Sequence, residues 1–275
     1  MAAIQAVRTA LFYLLFLGQT VILAIVTGIV SIISKSRTDF VWNTAKYWAN
    51  ANLVLLRWVV GIRTQVTGAD NIPAGPVIFA GKHMSDWDIF ALLPYTDDKP
   101  AFIAKKELMD IPFFGWTART FDTIRIDRQR GAEAIPQMME DARAALARGC
   151  RLIIFPEGTR KAPLAEPDYR QGIVRMYGAL NVPVVPVALD SGLYWGRNSL
   201  VMWPGTARAR FLPAIPPGLS PDAFRQRLVE AIETESRAMI LEAVDKGLAR
   251  PITGKLAERI AVAKQAGAGE SKPTY

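Results

Sequence analysis

The rhythm of hydrophobic and polar positions changes twice along this chain. From Leu11 to Ile33, LFYLLFLGQTVILAIVTGIVSII runs 23 residues without a charge, bounded by Arg8 on one side and Lys35 and Arg37 on the other. A helix of that length rises about 35 Å, enough to cross a hydrocarbon core of about 30 Å with some tilt. The reading is a membrane anchor. A cleaved signal peptide competes with it, but the apolar part of such a peptide is usually only about 7 to 15 residues, with small residues at a cleavage site after it. The next segment, DFVWNTAKYWANANLVLLRWVVGI from Asp39 to Ile62, sets Trp42, Tyr47, Trp48, Leu53, Leu56 and Val60 among a few charges. It predicts a helix in the membrane interface, since indole and phenol rings favour the headgroup level. A surface helix packed on a globular domain would show the same pattern.

From about Arg63 the apolar runs shorten, and each is closed by turn chemistry. VIFA (77–80) ends at Gly81, AFIA (101–104) at Lys105, TIRI (123–126) at Asp127 and Arg128, RLIIF (151–155) at Pro156, and VPVVPVAL (182–189) at Asp190. Between them GAEAIPQMMEDARAALARG (131–149) has helical periodicity with a glycine stop. A strand over about 207–212 and a helix from Pro221 to about Lys246, stopped by Gly247, follow. Strands alternating with helices predict an α/β fold, a largely parallel sheet flanked by helices, behind an N-terminal membrane-anchoring helical segment. The divisions expected are 1–62 for the membrane helices, 63–250 for the α/β domain and 251–275 for a C-terminal tail. Its last part, AKQAGAGESKPTY, is small and polar enough to fray.

Composition narrows the chemistry. A net charge of +8 suits a negatively charged partner, whether nucleic acid, an anionic membrane or a phosphorylated substrate. With one cysteine, Cys150, and one histidine, His83, neither a disulfide nor a cluster of several cysteine or histidine metal ligands is possible within the chain. A lone thiol suits a reducing compartment. Lys35, Arg37, Lys46 and Arg57 follow the apolar span, so the positive-inside rule favours a cytoplasmic carboxyl-terminal bulk.

In open α/β sheets ligands bind outside the carboxyl ends of the strands, and there the unusual residues gather. In GKHMSDWDIF (81–90), five helical steps of about 100° would put Asp88 some 140° around from His83. The two meet only if His83 ends a loop and Asp88 sits in a first helical turn. Ser85, three positions before Asp88, is the matching N-cap. In such a pair the carboxylate takes the proton of one imidazole nitrogen and leaves the other as a base. Alternatively, Asp88 only caps its helix and His83 is an ordinary loop residue. Activation of a substrate hydroxyl fits better than a covalent enzyme intermediate, because Cys150 lies at the far end of its strand and Ser85 serves as cap. In FPEGTR (155–160), Pro156 stops a strand, Gly158 lets backbone approach a ligand, and Arg160 with Lys161 can grip a phosphate. Glu157 fits an anion site only if it orients an arginine or accepts from a substrate hydroxyl. In TIRIDRQR (123–130), Ile124 and Ile126 share one face and Thr123, Arg125 and Asp127 the other, a pattern that a solvated edge strand shares.

Taken together, HMSDWD, TIRIDR, FPEGTR and VPVVPVAL resemble, in order and spacing over roughly 65–215, the four motifs of the glycerolipid acyltransferase family, specifically its bacterial 1-acyl-glycerol-3-phosphate acyltransferases. FIAKKELMDIPFFGW (102–116) is similar to the segment between the first two motifs. Arg125 departs from the pattern, standing where an apolar residue is common. The resemblance implies transfer of a fatty acyl group from acyl-CoA or acyl carrier protein to the 2-hydroxyl of lysophosphatidic acid, without metal, bound cofactor or nucleic acid. His83 would be the base and Asp88 its orienting partner. Arg128 and Arg160, with Lys105, would hold the acceptor's phosphate, while Glu157, Gly158 and Thr159 shape that pocket and Pro186 lies on the donor side. The partners implied are the two lipid substrates and a phospholipid membrane, with the catalytic domain on the cytoplasmic face of the inner membrane. Another lysolipid as acceptor, or a non-catalytic protein that binds anionic lipid, remains open.

Overall fold

A computed structural model of the chain describes residues 2–34, 39–97, 100–107, 123–126, 133 and 135–270. Two helices open it, α1 (Ala2–Ser34) and α2 (Asp39–Leu55), the second running into a π-helical turn, Leu56–Val60. Gly61, at φ 93°, redirects the chain into a strand that a residue with a side chain would enter only under strain. The elements that follow are β1 (Ile62–Thr67), β2 (Ile78–Gly81), α3 (Trp87–Leu92), β3 (Pro100–Lys105), β4 (Ile124–Ile126), α4 (Ile135–Ala147) and β5 (Arg151–Ile154). The fold closes with α5 (Gln171–Leu180), β6 (Val184–Leu189), β7 (Gly205–Phe211), α6 (Pro221–Asp245) and α7 (Gly254–Glu270).

One seven-stranded sheet has the order β1-β7-β6-β2-β5-β3-β4. β6, β2, β5, β3 and β4 are parallel; β7 runs against β6, and β1 runs with β7. Side chains of the central strands alternate between two cores. Phe79, Ile153, Val185, Val187 and Leu189 pack with residues of α1, α2 and α3, while Ile78, Ala80, Leu152, Ile154 and Val184 pack with α4, α5 and the first half of α6. Cover on both faces is why these strands read as unbroken apolar runs.

The first helix is more than a hydrophobic rod. Ile4, Val7, Leu11, Leu14, Ile22, Ile25, Ile29 and Ile33 form an exposed stripe at helical spacing, whereas Gln5, Thr9, Phe12, Ala24 and Thr27 are buried on the opposite side. The buried side is bonded to the rest of the protein. Arg8 Nε donates to the Val59 carbonyl at 2.5 Å, the Met202 amide donates to Thr9 Oγ1 at 3.0 Å, and Trp48 Nε1 donates to Thr20 Oγ1 at 2.9 Å. Phe12 packs edge-on against Trp195 in the core of the α/β domain. α2 and the π-helical turn after it repeat the arrangement: Ala45, Ala49 and Leu56 are buried, while Tyr47, Val54 and Trp58 face outward. The helix predicted for the interface is thus packed on the domain along one face and apolar on the other.

Two elements escape the sequence pattern. β1 is an edge strand with Arg63, Thr64 and Gln65 exposed, so it offers no apolar run to read. Beyond residue 250, where a tail was expected, α7 is helical to Glu270, with Leu256, Ile260 and Ala263 buried at helical spacing. The helix expected over 131–149 is found at Ile135–Ala147 and is followed by Gly149 at φ 82°.

Candidate active site

Because five strands point the same way, their carboxyl ends share one rim. Gly81 leads to His83, Ile154 to the FPEGTR loop, and Leu189 to Asp190, while Lys105 and Ile126 end β3 and β4 in register with each other. Arg125 is exposed on the edge strand β4, with Ile124 buried on the other face. Asp127 and Arg128 lie outside the described residues, so the phosphate role expected of Arg128 has no geometry to rest on here.

His83 and Asp88 meet in the way the capping pattern requires. α3 begins at Trp87, which leaves His83 in the preceding loop and Asp88 in the first turn. Ser85 Oγ accepts the Trp87 amide at 3.2 Å, and Asp88 Oδ2 accepts the Met84 and Ser85 amides at 2.8 and 2.9 Å. The same Oδ2 lies 2.9 Å from His83 Nδ1. The carboxylate is fully buried and the imidazole is 16% exposed, so Nδ1 is engaged and Nε2 is left for a ligand. The N-cap position falls to Asp86, not to the expected Ser85, and Asp86 makes no side-chain capping bond; Asp88 instead fastens the histidine loop to the first turn of α3 and orients the histidine with the same oxygen.

The FPEGTR loop closes over this pair. Phe155 stacks on the imidazole with ring centroids 4.0 Å apart and planes 17° from parallel. The Lys161 amide donates to the His83 carbonyl at 2.8 Å. Gly158 takes φ 66° and its amide closes the turn onto the Phe155 carbonyl at 2.8 Å. Thr159 is partly exposed beside it. Arg160 does not stand open: its Nη1 pairs with Asp86 Oδ2 at 2.5 Å. Glu157 is buried, its Oε2 without a hydrogen-bond partner among the described residues, and burial pushes its carboxyl above the usual range against the opposing charge of Lys82.

Four other residues, Lys82, Tyr169, Ser191 and Glu233, were not assigned roles from the sequence. Lys82, itself buried, pairs with Glu233 of α6 at 2.5 Å, and Tyr169 donates to the same carboxylate at 2.9 Å. The only local signal is that Lys82 precedes the histidine. Ser191 donates from its hydroxyl to Asp88 Oδ1, and the two are 103 residues apart. Pro186, expected on the donor side, is buried in β6 and pairs with Ala80, which pairs in turn with Ile154 at the end of β5.

A histidine–aspartate pair and an arginine loop thus share one rim of the sheet. The sequence profile of a family described as Acyltransferase matches residues 63–190, which span His83, Asp88, FPEGTR and β6. A 1-acyl-sn-glycerol-3-phosphate acyltransferase of Pseudomonas aeruginosa is 31% identical over 78% of this chain and 83% of that protein. The chain belongs to this acyltransferase family. A mouse relative, 1-acyl-sn-glycerol-3-phosphate acyltransferase alpha, is 30% identical over 62% of this chain and 61% of its own length. In fold, the chain is similar to the crystal structure of a 1-acyl-sn-glycerophosphate acyltransferase from Thermotoga maritima, with a TM-score of 0.71 over 87% of this chain and 98% of that one, at 23% identity. The fold is thus shared over most of the chain, and this chain's long apolar N-terminal helix is a candidate membrane anchor.

Proposed function

We propose that this acyltransferase moves a fatty acyl group from a thioester, acyl-CoA or acyl carrier protein, to the 2-hydroxyl of 1-acyl-glycerol-3-phosphate and releases phosphatidic acid. The observation that carries the reading is the His83–Asp88 contact of 2.9 Å at the rim, closed over by the FPEGTR loop. His83 Nε2 takes the proton of the acceptor hydroxyl as its oxygen attacks the thioester carbonyl. Asp88 holds Nδ1–H and offsets the charge of the imidazolium. Collapse of the tetrahedral intermediate breaks the carbon–sulfur bond, and the departing thiolate takes the proton back from His83. Direct transfer fits the surroundings: the hydroxyls of Ser85 and Ser191 are tied to Trp87 and Asp88, and Cys150 is buried ahead of β5, at the other end of the strand from the rim.

Arg160 is the described cation best placed for the acceptor's phosphate; Arg128, Lys105 and Thr159 complete the pocket in this reading, and Glu157 and Gly158 shape its floor. Lysophosphatidic acid resides in membranes, and the exposed stripe of α1, with Tyr47 and Val54 of α2 and Trp58 of the turn after it, supplies an apolar surface on the same body as the rim. The positive residues after the span favour the cytoplasmic face of the inner membrane for that body. The test is a rate assay of the purified protein with acyl-CoA and with acyl carrier protein, against lysophosphatidic acid and a panel of other lysolipids. Turnover restricted to acceptors with a free phosphate monoester supports the reading; equal turnover of lysolipids lacking it, or no turnover with either donor, contradicts it.

A further inference from the structure

Asp88 is gripped from both sides. His83 Nδ1 and the Met84 and Ser85 amides meet Oδ2, whereas Oδ1 receives the hydroxyl of Ser191. Asp88 has no exposed surface and Ser191 only 1%, so water cannot replace that donor. We infer that Ser191 is a positioning residue for the catalytic pair, and that the motif ending in β6 serves catalysis by delivering this hydroxyl to the back of Asp88. This inference rests on the reading of His83 as the base.

The delivery is built into the turn after β6. Asp190 is fully buried, accepting the Arg208 amide on Oδ1 at 2.7 Å and Arg208 Nε on Oδ2 at 2.6 Å. Arg208 also reaches Glu242 of α6 at 2.6 Å, so the turn is pinned to both β7 and α6. The Leu193 amide bonds back to the Asp190 carbonyl at 3.0 Å, and the Tyr194 and Trp195 amides to the Ser191 carbonyl, each at 3.0 Å. Gly192 completes the fit: a Cβ there would lie 3.0 Å from Met84 Cβ and 3.1 Å from Pro163 Cγ. The residue after Ser191 must be small for the turn to lie against the histidine loop. A hydroxyl fixed in this way does two things to Asp88. It stops the carboxylate from rotating away from Nδ1, and it draws charge toward Oδ1.

The chain's one histidine makes the inference directly measurable, because selective ¹⁵N-histidine labelling of the full-length protein in detergent reports on His83 alone. Ser191→Ala is expected to lower kcat roughly tenfold, the scale of one hydrogen bond to a charged group, while both KM values stay within about twofold. The Nδ1-bound proton resonance is expected to move or broaden. Ser191→Cys, close in shape but a weak donor, is expected to fall between the two, and it serves in place of alanine if that variant does not fold. An unchanged kcat, or an unchanged Nδ1 proton resonance, overturns the role of Ser191. His83→Ala assayed alongside separates the two claims: if it stays active, the base assignment fails, and the resonance still decides whether Ser191 holds the pair.

Discussion

Arg160 reaches back across 74 residues to Asp86, with Nη1 2.5 Å from Oδ2, so the guanidinium proposed for the acceptor's phosphate is held in place by a carboxylate of the histidine loop. Both side chains are partly exposed, at 29% and 45%, and an ion pair of that kind is worth at most about 1 kcal/mol. Charge-assisted bonds to a phosphate are worth more, about 1.5 to 3 kcal/mol each. In the proposed pocket the phosphate would therefore win the arginine, with Asp86 as a placeholder that orients it.

Arg160→Ala should accordingly raise the KM for lysophosphatidic acid by at least roughly tenfold with little change for the acyl donor. Arg160→Lys should remain costly because a single ammonium cannot make the forked contact. Asp86→Asn should change the acceptor KM by no more than about fivefold. Arg125→Ala, on the edge strand, should behave as wild type. Initial-rate series in each substrate check all four. An Arg160→Ala effect confined to the donor would move the arginine to the donor's phosphates.

The two stripes of α1 predict opposite phenotypes. Phe12 is fully buried with its ring 5.5 Å from Trp195, so Phe12→Ala should cost about 3 to 5 kcal/mol and lower Tm. Its liposome affinity should hold. Leu14 is 70% exposed, and Leu14→Ser should leave Tm unchanged while weakening binding to vesicles. Deleting residues 1–38 removes both stripes and uncovers α2, so that protein should lose stability yet still adhere to anionic vesicles through Tyr47, Val54 and Trp58. Thermal melts with vesicle flotation measure both; flotation of Leu14→Ser equal to wild type would contradict the lipid assignment.

Glu157 carries a pH signature. Burial raises its pKa above 4.5 in the folded protein, so whatever stability this group contributes is present below the unfolded value and is lost as pH rises through the folded one. Glu157→Gln should gain in Tm relative to wild type as pH rises from below 4.5 toward neutrality, while its activity falls because the pocket loses its carboxylate. Melting curves across that range decide it. A deficit that deepens with pH would mean that Lys82 makes the carboxylate stabilising.

How much of this was legible depended on sequence distance. The strand ends were readable because Gly81, Lys105 and Pro156 stop apolar runs that both cores demand, and their convergence follows from parallel pairing. The His83–Asp88 contact was readable because Ser85 signals a helix start between them. β1 was not, since an edge strand with three exposed polar residues in a row has no hydrophobic period. The tail hid α7, whose buried Leu256, Ile260 and Ala263 are spread among small and polar residues. Asp86–Arg160, Lys82–Glu233 and Ser191–Asp88 join residues 74, 151 and 103 positions apart, and no local spacing encodes such meetings. Asp86–Arg160 and Ser191–Asp88 exist because the sheet brings the ends of β2, β5 and β6 to one edge, and Lys82–Glu233 because α6 packs against β6.

The most direct measurement is the single-turnover rate of His83→Ala beside wild type and Asp88→Asn, with Tm and vesicle binding as checks on the fold. General-base assistance is worth about 10²- to 10⁴-fold, and no second histidine exists to take over. The account predicts a loss of that size for His83→Ala in a folded, membrane-bound protein, and a severe loss for Asp88→Asn, whose amide cannot offset an imidazolium. A folded His83→Ala enzyme that turns over within a few-fold of wild type would contradict it.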